Sequence, residues 1–303
     1  MTRPSSRRAG FTLVELMVAI VLVGIVLGSL INVIVRQQRF YRGATDVIDT
    51  RSQTRQAINL LPGDLRMLSS GLGDIIEMRD SVIDMYATVG TGVACRVGLQ
   101  SVSLPPMNAA RGQFTSWTSP PRVGDQIHIF VNDSGTFRTH RIVSVDSNTV
   151  HCPGGADPVI DGAADAGKQR YWLQFAPGPD AFIVVGAPVR ITRRVRYSLY
   201  QSPTDRQWYL GYREQTADAA VLTAIQPVSG PYRAYAPDNT SGLAFFYFDG
   251  AGVPTTDRFQ VARVDVAVRT RTNQRIQISG MKTDADGRRS HSDSLSIALR
   301  NRW

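Results

Sequence analysis

A run of apolar residues near the start of the chain constrains its fold more than any other feature. The run extends from Phe11 to Val35, and after Glu15 it contains no Asp, Glu, Lys or Arg. About 20 apolar residues are enough to cross a lipid bilayer as a helix. The run therefore predicts a helix that spans a membrane, with one carboxylate close to its beginning.

Arginines flank this run on both sides, so the positive-inside rule does not fix the orientation of the helix. They are Arg3, Arg7 and Arg8 before it, and Arg36, Arg39 and Arg42 after it. A secretory signal peptide has a shorter apolar region of about 7 to 15 residues, followed by a small-residue cleavage site. This run is longer and is not followed by such a cleavage site, so we expect it to remain in the mature protein.

Residues 10–15 read Gly-Phe-Thr-Leu-Val-Glu, between a short basic leader and the rest of the apolar run. This arrangement resembles the processing site of type IV prepilins and type II secretion pseudopilins. The resemblance implies that a prepilin peptidase cuts between Gly10 and Phe11 on the cytoplasmic side, and that the new N-terminus at Phe11 is methylated. It also implies that the chain after about residue 36 lies across the membrane from the leader.

The same resemblance gives Glu15 a role in assembly. Ionisable residues inside a membrane are costly and usually face a partner. Cleavage creates a positive amine at Phe11, which the Glu15 carboxylate of a neighbouring subunit can neutralise in a filament. Glu15 also lies in the first helical turn, where the helix dipole favours negative charge. The alternative is a carboxylate that reaches the membrane edge without a partner.

Two departures from major pilins point to a minor pilin. Major pilins usually have a proline about two thirds of the way along this helix, whereas residues 28–32 read Gly-Ser-Leu-Ile-Asn. Major pilins are also commonly about half as long as this chain. The triplets Asp64-Leu65-Arg66 and Leu299-Arg300-Asn301 resemble pieces of PilW-type minor pilins and GspJ-type pseudopilins.

The resemblance therefore implies a PilW-type minor pilin, a structural subunit that primes assembly of a type IV pilus and sits at or near its tip. Its partners would be other minor and major pilins, the prepilin peptidase, an inner-membrane assembly platform and a tip adhesin. It would lie in the bacterial inner membrane with its C-terminal region in the periplasm, and then in the pilus. The alternatives are a GspJ-type minor pseudopilin of a type II secretion system and a DNA-uptake pilin that binds nucleic acid.

The expected fold is α+β and pilin-like, with a long N-terminal helix packed on an antiparallel β-sheet and an additional β-rich insert. Its parts are the leader 1–10, the membrane half of the helix 11–35, an amphipathic continuation 36–75, and an extracytoplasmic β region 76–303 in one lobe or two. Ile58, Leu61, Leu65 and Leu68 form an apolar stripe on the continuation. Pro62 should kink the helix there or start a new one.

Alternating apolar residues and turn signals predict the strands of the β region. They are a meander of Gln126–Val131, Phe137–Val145 and Thr149–Cys152, a strand Tyr171–Phe175, a hairpin of Ala187–Tyr200 and Gln207–Gln215, and two C-terminal strands of which the second places Val264, Val266 and Val268 on one face. Between the first strands and the meander, 101–121 is rich in Ser, Pro, Gly and Asn and is predicted to be an irregular loop or linker.

Cys95 and Cys152 are the only cysteines in the chain. Both lie on the side that the resemblance places outside the cytoplasm, where an even pair favours a disulfide. Such a bond would stabilise the fold by roughly 4 kcal/mol in the chain-entropy model. Two alternatives remain, a pair of buried free thiols and a metal site with His140 and His151, although no CxxC or HxxxH spacing supports the metal site.

Arginine supplies most of the net positive charge of the chain, 34 − 25 = +9, and its densest group lies in 190–196. Arg190, Arg194 and Arg196 alternate with apolar residues, which favours a solvated sheet face. The competing interpretation is a polyanion patch, in which the arginines hold phosphates and neighbouring tyrosines stack on bases.

No catalytic or cofactor motif occurs in the chain, and we expect no enzyme, cofactor or metal site. Its four histidines, His128, His140, His151 and His291, form no recognisable catalytic arrangement, and phosphate-binding or nucleophile-elbow patterns are missing. Two groups of aspartates, Asp157, Asp161 and Asp165, and Asp284, Asp286 and Asp293, lack the spacing of a calcium loop. Solvated turns are the favoured interpretation of both groups.

Overall fold

The computed structural model describes residues 12–148, 152, 159–176, 183–217, 221–276 and 282–300. It contains one long helix and fourteen strands, as the expected α+β fold requires. The helix is α1 (Leu13–Leu65), and the strands are β1 (Ile75–Met78), β2 (Val82–Val93), β3 (Arg96–Gly98), β4 (Ser101–Leu104), β5 (Ser116–Trp117), β6 (Gln126–Val131), β7 (Thr136–Asn148), β8 (Arg170–Ala176), β9 (Pro188–Gln201), β10 (Trp208–Glu214), β11 (Gln226–Tyr232), β12 (Leu243–Phe248), β13 (Arg263–Arg271) and β14 (Ser290–Ala298).

The chain forms two compact units. The first contains Met1–Arg51 and Arg271–Ser290, and the second contains Ser52–Thr270 and His291–Trp303. Within the described residues of the first unit, the side chains of α1 are exposed from Leu13 to Val35. Among all described residues, α1 is the one helix that is long and apolar enough to cross a membrane. Its 53 residues correspond to about 80 Å at 1.5 Å per residue.

In the first unit, the helix becomes amphipathic beyond its apolar half. Gly43, Val47 and Thr50 are buried at steps of four and three residues, which is the period of one helix face. The backbone N–H of Gln274 donates to the Asp46 carboxylate at 3.1 Å.

Two antiparallel sheets build the second unit. The larger has eleven strands in the order β1-β2-β9-β6-β7-β8-β4-β3, with β10 and β11 extending from β9 and β5 paired to β2. The smaller sheet has the order β12-β13-β14. Strands β2 and β9 pair along nearly their whole length, and a bulge between Thr88 and Gly90 interrupts their register.

Two main hydrophobic clusters lie along these strands. The first joins the helix end, through Leu61 and Leu65, to β2, to the second half of β9 and to the smaller sheet. The other lies among β4, β6, β7, β8 and the first half of β9. The predicted packing of a long helix on an antiparallel sheet, with an additional β-rich part, is therefore confirmed.

The helix end differs from its prediction. The helix continues through Pro62 without a new start and ends at Leu65, so residues 66–75 of the expected continuation are not helical. Pro62 removes one backbone donor, but it lies in the last turn, where Leu61 and Leu65 are almost fully buried. Packing of these leucines outweighs the lost hydrogen bond because tertiary contacts supply most helical stability in proteins.

Most predicted strands are confirmed within one or two residues, including the hairpin of β9 and β10 and the C-terminal pair of β12 and β13. In β13 burial alternates with every residue, so Val264, Val266 and Val268 share the buried face as predicted. The predicted loop 101–121 was partly wrong, because its ends form β4 and β5, which pair with β8 and β2. Of the predicted strand Thr149–Cys152, all but Cys152 lies outside the described residues.

Candidate assembly site

The helix begins with a reciprocal pair of hydrogen bonds between Thr12 and Glu15. The Thr12 hydroxyl accepts from the Glu15 backbone N–H at 3.2 Å, and the Glu15 carboxylate accepts from the Thr12 backbone N–H at 3.1 Å. The hydroxyl of Thr12 also donates to the same carboxylate at 3.1 Å. This is a capping box, which satisfies two backbone donors that a helix start leaves without partners.

Glu15 is exposed, and the cap holds its carboxylate over the first turn of the helix. The cap was not predicted, although the Thr-x-x-Glu spacing is a known local signature of it. Gly10 and Phe11 lie outside the described residues. The cut between them and the pairing of Glu15 with a neighbour's amine stay predictions.

At the other end of the helix, the described residues of the triplets 64–66 and 299–301 lie together. Leu65 and Leu299 belong to the same hydrophobic cluster, and the backbone N–H of Arg300 donates to the carbonyl of Arg66 at 3.1 Å. The Tyr197 hydroxyl donates to the Asp64 carboxylate at 2.7 Å. Asp64 is therefore part of the packed helix end rather than of a solvated face.

The three arginines proposed as a polyanion patch each contact a carboxylate. The Arg190 guanidinium donates to Asp74 at 2.6 Å. Arg194 makes two hydrogen bonds to Asp84 at 2.9 and 2.8 Å, and Arg196 lies 3.3 Å from Glu77. These partners neutralise charge that a bound phosphate would need.

The predicted solvated face was wrong at Arg190, whose exposed fraction is 8%. Its guanidinium also donates to the Thr88 hydroxyl at 2.8 Å and to the Met67 carbonyl at 2.9 Å. Burial raises the pKa of the Asp74 carboxyl, and the charge of Arg190 and its hydrogen bond lower it in part. The reason for the error is that β9 is an interior strand, and the residues after the helix cover it at this point.

A second buried ion pair was not predicted at all. Arg193 and Asp125 make two hydrogen bonds of 2.8 Å, and both side chains are 4% exposed. Arg193 also donates to the carbonyl of Pro120 at 2.9 Å. Burial alone would lower the pKa of Arg193, but the hydrogen bonds and charge of Asp125 raise it overall. Arg193 therefore keeps its charge, and its contact with Asp125 joins β9 to the turn before β6.

Cys95 and Cys152 are joined by a disulfide, with their Cα atoms 5.6 Å apart. Both are buried beside Val159 and Ile160. The bond excludes the two alternatives for these cysteines, a pair of free thiols and a metal site that uses them.

Comparison with known protein families gives a match at the start of the chain. A sequence model of the prokaryotic N-terminal methylation motif matches residues 5–31. This chain carries a prokaryotic methylation motif. The matched segment includes Gly10, Phe11 and Glu15, and it supports membership of the type IV pilin and pseudopilin family. No curated protein and no solved structure matches the chain.

The methylation motif and the exposed apolar helix together fit a membrane-anchored protein of the pilin family. Proteins of this family interact with other pilins and with the prepilin peptidase. The motif points to a structural role.

Two of the histidines, His128 and His140, are packed among neighbouring side chains. His128 lies between the hydroxyls of Thr139 and Thr192, at 2.8 and 3.0 Å, and its ring is buried. Burial, with the nearby charge of Arg190 and His140, lowers the pKa of His128 to about 3, so it is neutral. The ring of His140 packs on Phe175 at 4.8 Å. His291 lies on β14, and His151 is outside the described residues.

One aspartate, Asp165, differs from the expected solvated turns, whereas Asp284 and Asp286 lie at a turn with partly exposed side chains. Asp165 is fully buried and accepts from the backbone of Ala110 and Asp161 and from Lys168. In the first unit, Asp284 and Asp286 contact Arg271. Asp293 is exposed on β14, and Asp157 lies outside the described residues. Within the described ranges, no group of three His, Cys, Asp or Glu side chains could hold a metal ion.

The contact between Asp64 and Tyr197 predicts an effect of pH on stability. Burial raises the pKa of the Asp64 carboxyl, and the hydrogen bond from Tyr197 lowers it only in part. Its folded pKa thus exceeds its unfolded value, so the folded state binds more protons between the two values, and stability contributed by this group falls as pH rises through that window. We expect Asp64→Asn to raise the free energy of unfolding at pH 7 by less than about 1 kcal/mol, and therefore to unfold at a higher temperature than the original chain.

The advantage of Asp64→Asn should shrink as the pH is lowered towards 4, because the original carboxyl then becomes neutral as well. Thermal unfolding followed by circular dichroism at a series of pH values measures it. Asp64→Ala is the control, since it leaves the buried Tyr197 hydroxyl without its acceptor and should cost about 1 to 3 kcal/mol. A gain for Asp64→Asn that grows on acidification would contradict the assigned cause.

Proposed function

We propose that this protein is a PilW-type minor pilin that primes assembly of a type IV pilus and sits at or near its tip. A prepilin peptidase removes residues 1–10, and Phe11 becomes the methylated N-terminus. The helix segment 11–35 holds the chain in the bacterial inner membrane, with the β region 76–303 in the periplasm until the inner-membrane platform adds the subunit to other minor and major pilins.

The observation that carries this proposal is the start of α1. A capping box presents a carboxylate at the beginning of a helix whose first half is exposed throughout, with apolar side chains from 75% exposed at Leu13 to 38% at Val35. An exposed apolar surface of this length requires lipid or other apolar helices as its surroundings. Subunits that leave the membrane can cover it only with the same segment of their neighbours, which is how a pilus core is built.

The N-terminal amine explains why a carboxylate is retained beside that surface. A lone carboxylate is costly away from water, whereas one that meets a cation of a neighbouring subunit is neutralised. The cap fixes the Glu15 side chain beside the helix start, where the amine of an incoming chain would have to dock. The arginines of β9 give no support to the DNA-uptake alternative, because Arg190, Arg194 and Arg196 each have a carboxylate partner.

Substitution of Glu15 tests the proposal, and the capping box supplies a matched pair of variants. Glu15→Gln keeps a side chain that can cap the helix but removes the charge, whereas Glu15→Ala removes both. We expect the leader to be removed normally from both variants, and both to be at least about tenfold depleted in sheared pili, because one charge of a desolvated pair without its partner costs a few kcal/mol. Immunoblots of membrane and pilus fractions measure this.

Normal incorporation of Glu15→Gln would show that capping alone is sufficient and would remove the charge pairing from the proposal. The GspJ-type pseudopilin alternative shares the helix and the motif, so it needs a separate measurement. Deletion of the gene should abolish surface pili and leave protein export unchanged. The reverse result would assign the chain to type II secretion.

A further inference from the structure

An open cleft of about 630 Å³ lies on the second unit. Two aromatic side chains line it, Trp117 of β5 and Tyr171 of β8. Their ring centroids are 5.1 Å apart and their planes meet at 74°. The two rings are therefore nearly perpendicular to each other.

The indole of Trp117 is held in place from beneath. Gly90 of β2 pairs with Trp117, and a Cβ atom at Gly90 would overlap the indole ring. The next residue fixes the same short strand, since the backbone N–H of Thr118 donates to the carbonyl of Val89 at 2.9 Å. Gly90 ends the bulge in β2, and its lack of a side chain leaves room for the indole ring. The Trp117 side chain remains partly exposed.

The polar part of the cleft is neutral. Asn108, Thr118 and Gln169 also line the cleft, and all three are exposed. Among the described residues that line it, Lys168 is the one charged group. Its ammonium donates at 2.8 Å to Asp165, whose side chain is fully buried, and at 2.7 Å to the Asn108 carbonyl. The positive charge is therefore compensated within the protein.

We propose that this cleft binds a neutral saccharide. One face of a pyranose ring presents mainly C–H groups, which can stack on an aromatic ring, while its hydroxyls point outward and can bond to amides and hydroxyls. A rigid indole beside neutral polar side chains matches both parts of such a ligand. Sites for small ligands are typically lined by apolar and aromatic side chains, with a small number of polar groups that fix the orientation of the ligand. The site is independent of the assembly chemistry at Glu15.

Two other ligand classes match the cleft less well. Single-stranded nucleic acid also stacks on aromatic rings, but it requires uncompensated cations along its backbone, and the cation here is paired with Asp165. A proline-rich peptide docks in grooves between aromatic rings. The nearly perpendicular rings of Trp117 and Tyr171 do not form such a groove. They offer one flat surface with a second ring at its side, which suits a ligand with a single sugar ring.

The test uses the full chain in lipid nanodiscs or a zwitterionic detergent, because sugar-headgroup detergents would compete. Cellotriose, maltotriose and chitotriose are the probes, titrated to about 10 mM to cover weak binding. Saturation-transfer NMR detects contact with each sugar, and tryptophan fluorescence gives its affinity. We expect saturable binding of at least one probe, weakened about tenfold or more in Trp117→Ala, since the loss of a stacked ring removes its main contact.

A second variant keeps the test decisive if Trp117→Ala does not fold. Asn108→Ala combined with Gln169→Ala changes only exposed side chains and should also weaken binding several-fold. Tyr235→Ala is the matched control, because Tyr235 is an aromatic residue of the same unit, 44% exposed and outside the cleft, and its loss should leave affinity unchanged.

Absence of saturable binding to all three sugars would overturn the proposal, as would equal binding by the original chain and both cleft variants. Sialyllactose, an oligothymidylate and decaproline are the comparison ligands. Binding of one of these without binding of a neutral sugar would also overturn it, and would assign the cleft to an anionic glycan, a nucleic acid or a peptide respectively.

Discussion

Replacement of Gly10 by valine is expected to abolish removal of the leader. Glycine lets a backbone approach closely because it has no side chain, and a β-branched residue beside the bond to be cut would keep the peptide out of a narrow protease site. The uncut chain would keep residues 1–10. At 33.3 kDa for 303 residues, those ten residues add 33.3/303 × 10, or about 1.1 kDa.

Intact-mass spectrometry of the membrane fraction measures this difference directly. The original chain should show the shorter mass plus one methyl group, and Gly10→Val should show the full mass without the methyl group. Ala9→Val places the same side chain one residue earlier and should be processed normally. If Gly10→Val yields the same mature mass as the original chain, the cut does not fall after Gly10.

Replacement of Arg193 by methionine is expected to destabilise the second unit by about 3 to 5 kcal/mol. Methionine fills a similar volume, so the loss reports the charge rather than a cavity. Asp125 would remain buried without its cation, and its exposed fraction of 4% leaves little access for water. Urea unfolding, followed by fluorescence and circular dichroism, measures the change in the free energy of unfolding.

Arg122→Met provides a control at a neighbouring position. Arg122 contacts Glu214 at 2.9 Å, which is as close as the buried pair, but its side chain is 51% exposed. Exposed ion pairs of this kind contribute about 1 kcal/mol or less. Similar losses in the two variants would mean that water replaces the guanidinium of Arg193, and would remove the pair from the forces that hold β9 to the turn before β6.

Local patterns in the sequence predicted much of the fold. The two-residue period of β13 predicts one buried face and one face open to water, and the structure shows the alternation residue by residue, with the second face partly exposed. The apolar run predicted the first half of α1, because a membrane-spanning helix can be recognised from the length and composition of one segment alone. Residues 10–15 indicated the family by their order alone, because the methylation motif is short and contiguous.

Contacts between distant residues account for what was not predicted. Alternation placed Arg190 on a face but could not show that Asp74 and the Met67 carbonyl cover it. Nor does the sequence show that Gly90 lies beneath Trp117, because this depends on the pairing of β5 with β2. The capping box is different, because its Thr-x-x-Glu signal is local and could have been recognised in the sequence.

The junction between the helix end and the C-terminal strand has a mechanical consequence. Leu61 and Leu65 share their hydrophobic cluster with Ile297 and Leu299, and Arg300 bonds to Arg66. A pull along the helix therefore acts on the C-terminal strand as well as on the helix end. Separation of the helix end from the C-terminal strand requires the contacts of the shared cluster and this hydrogen bond to break, so tension on the helix is resisted by many contacts together.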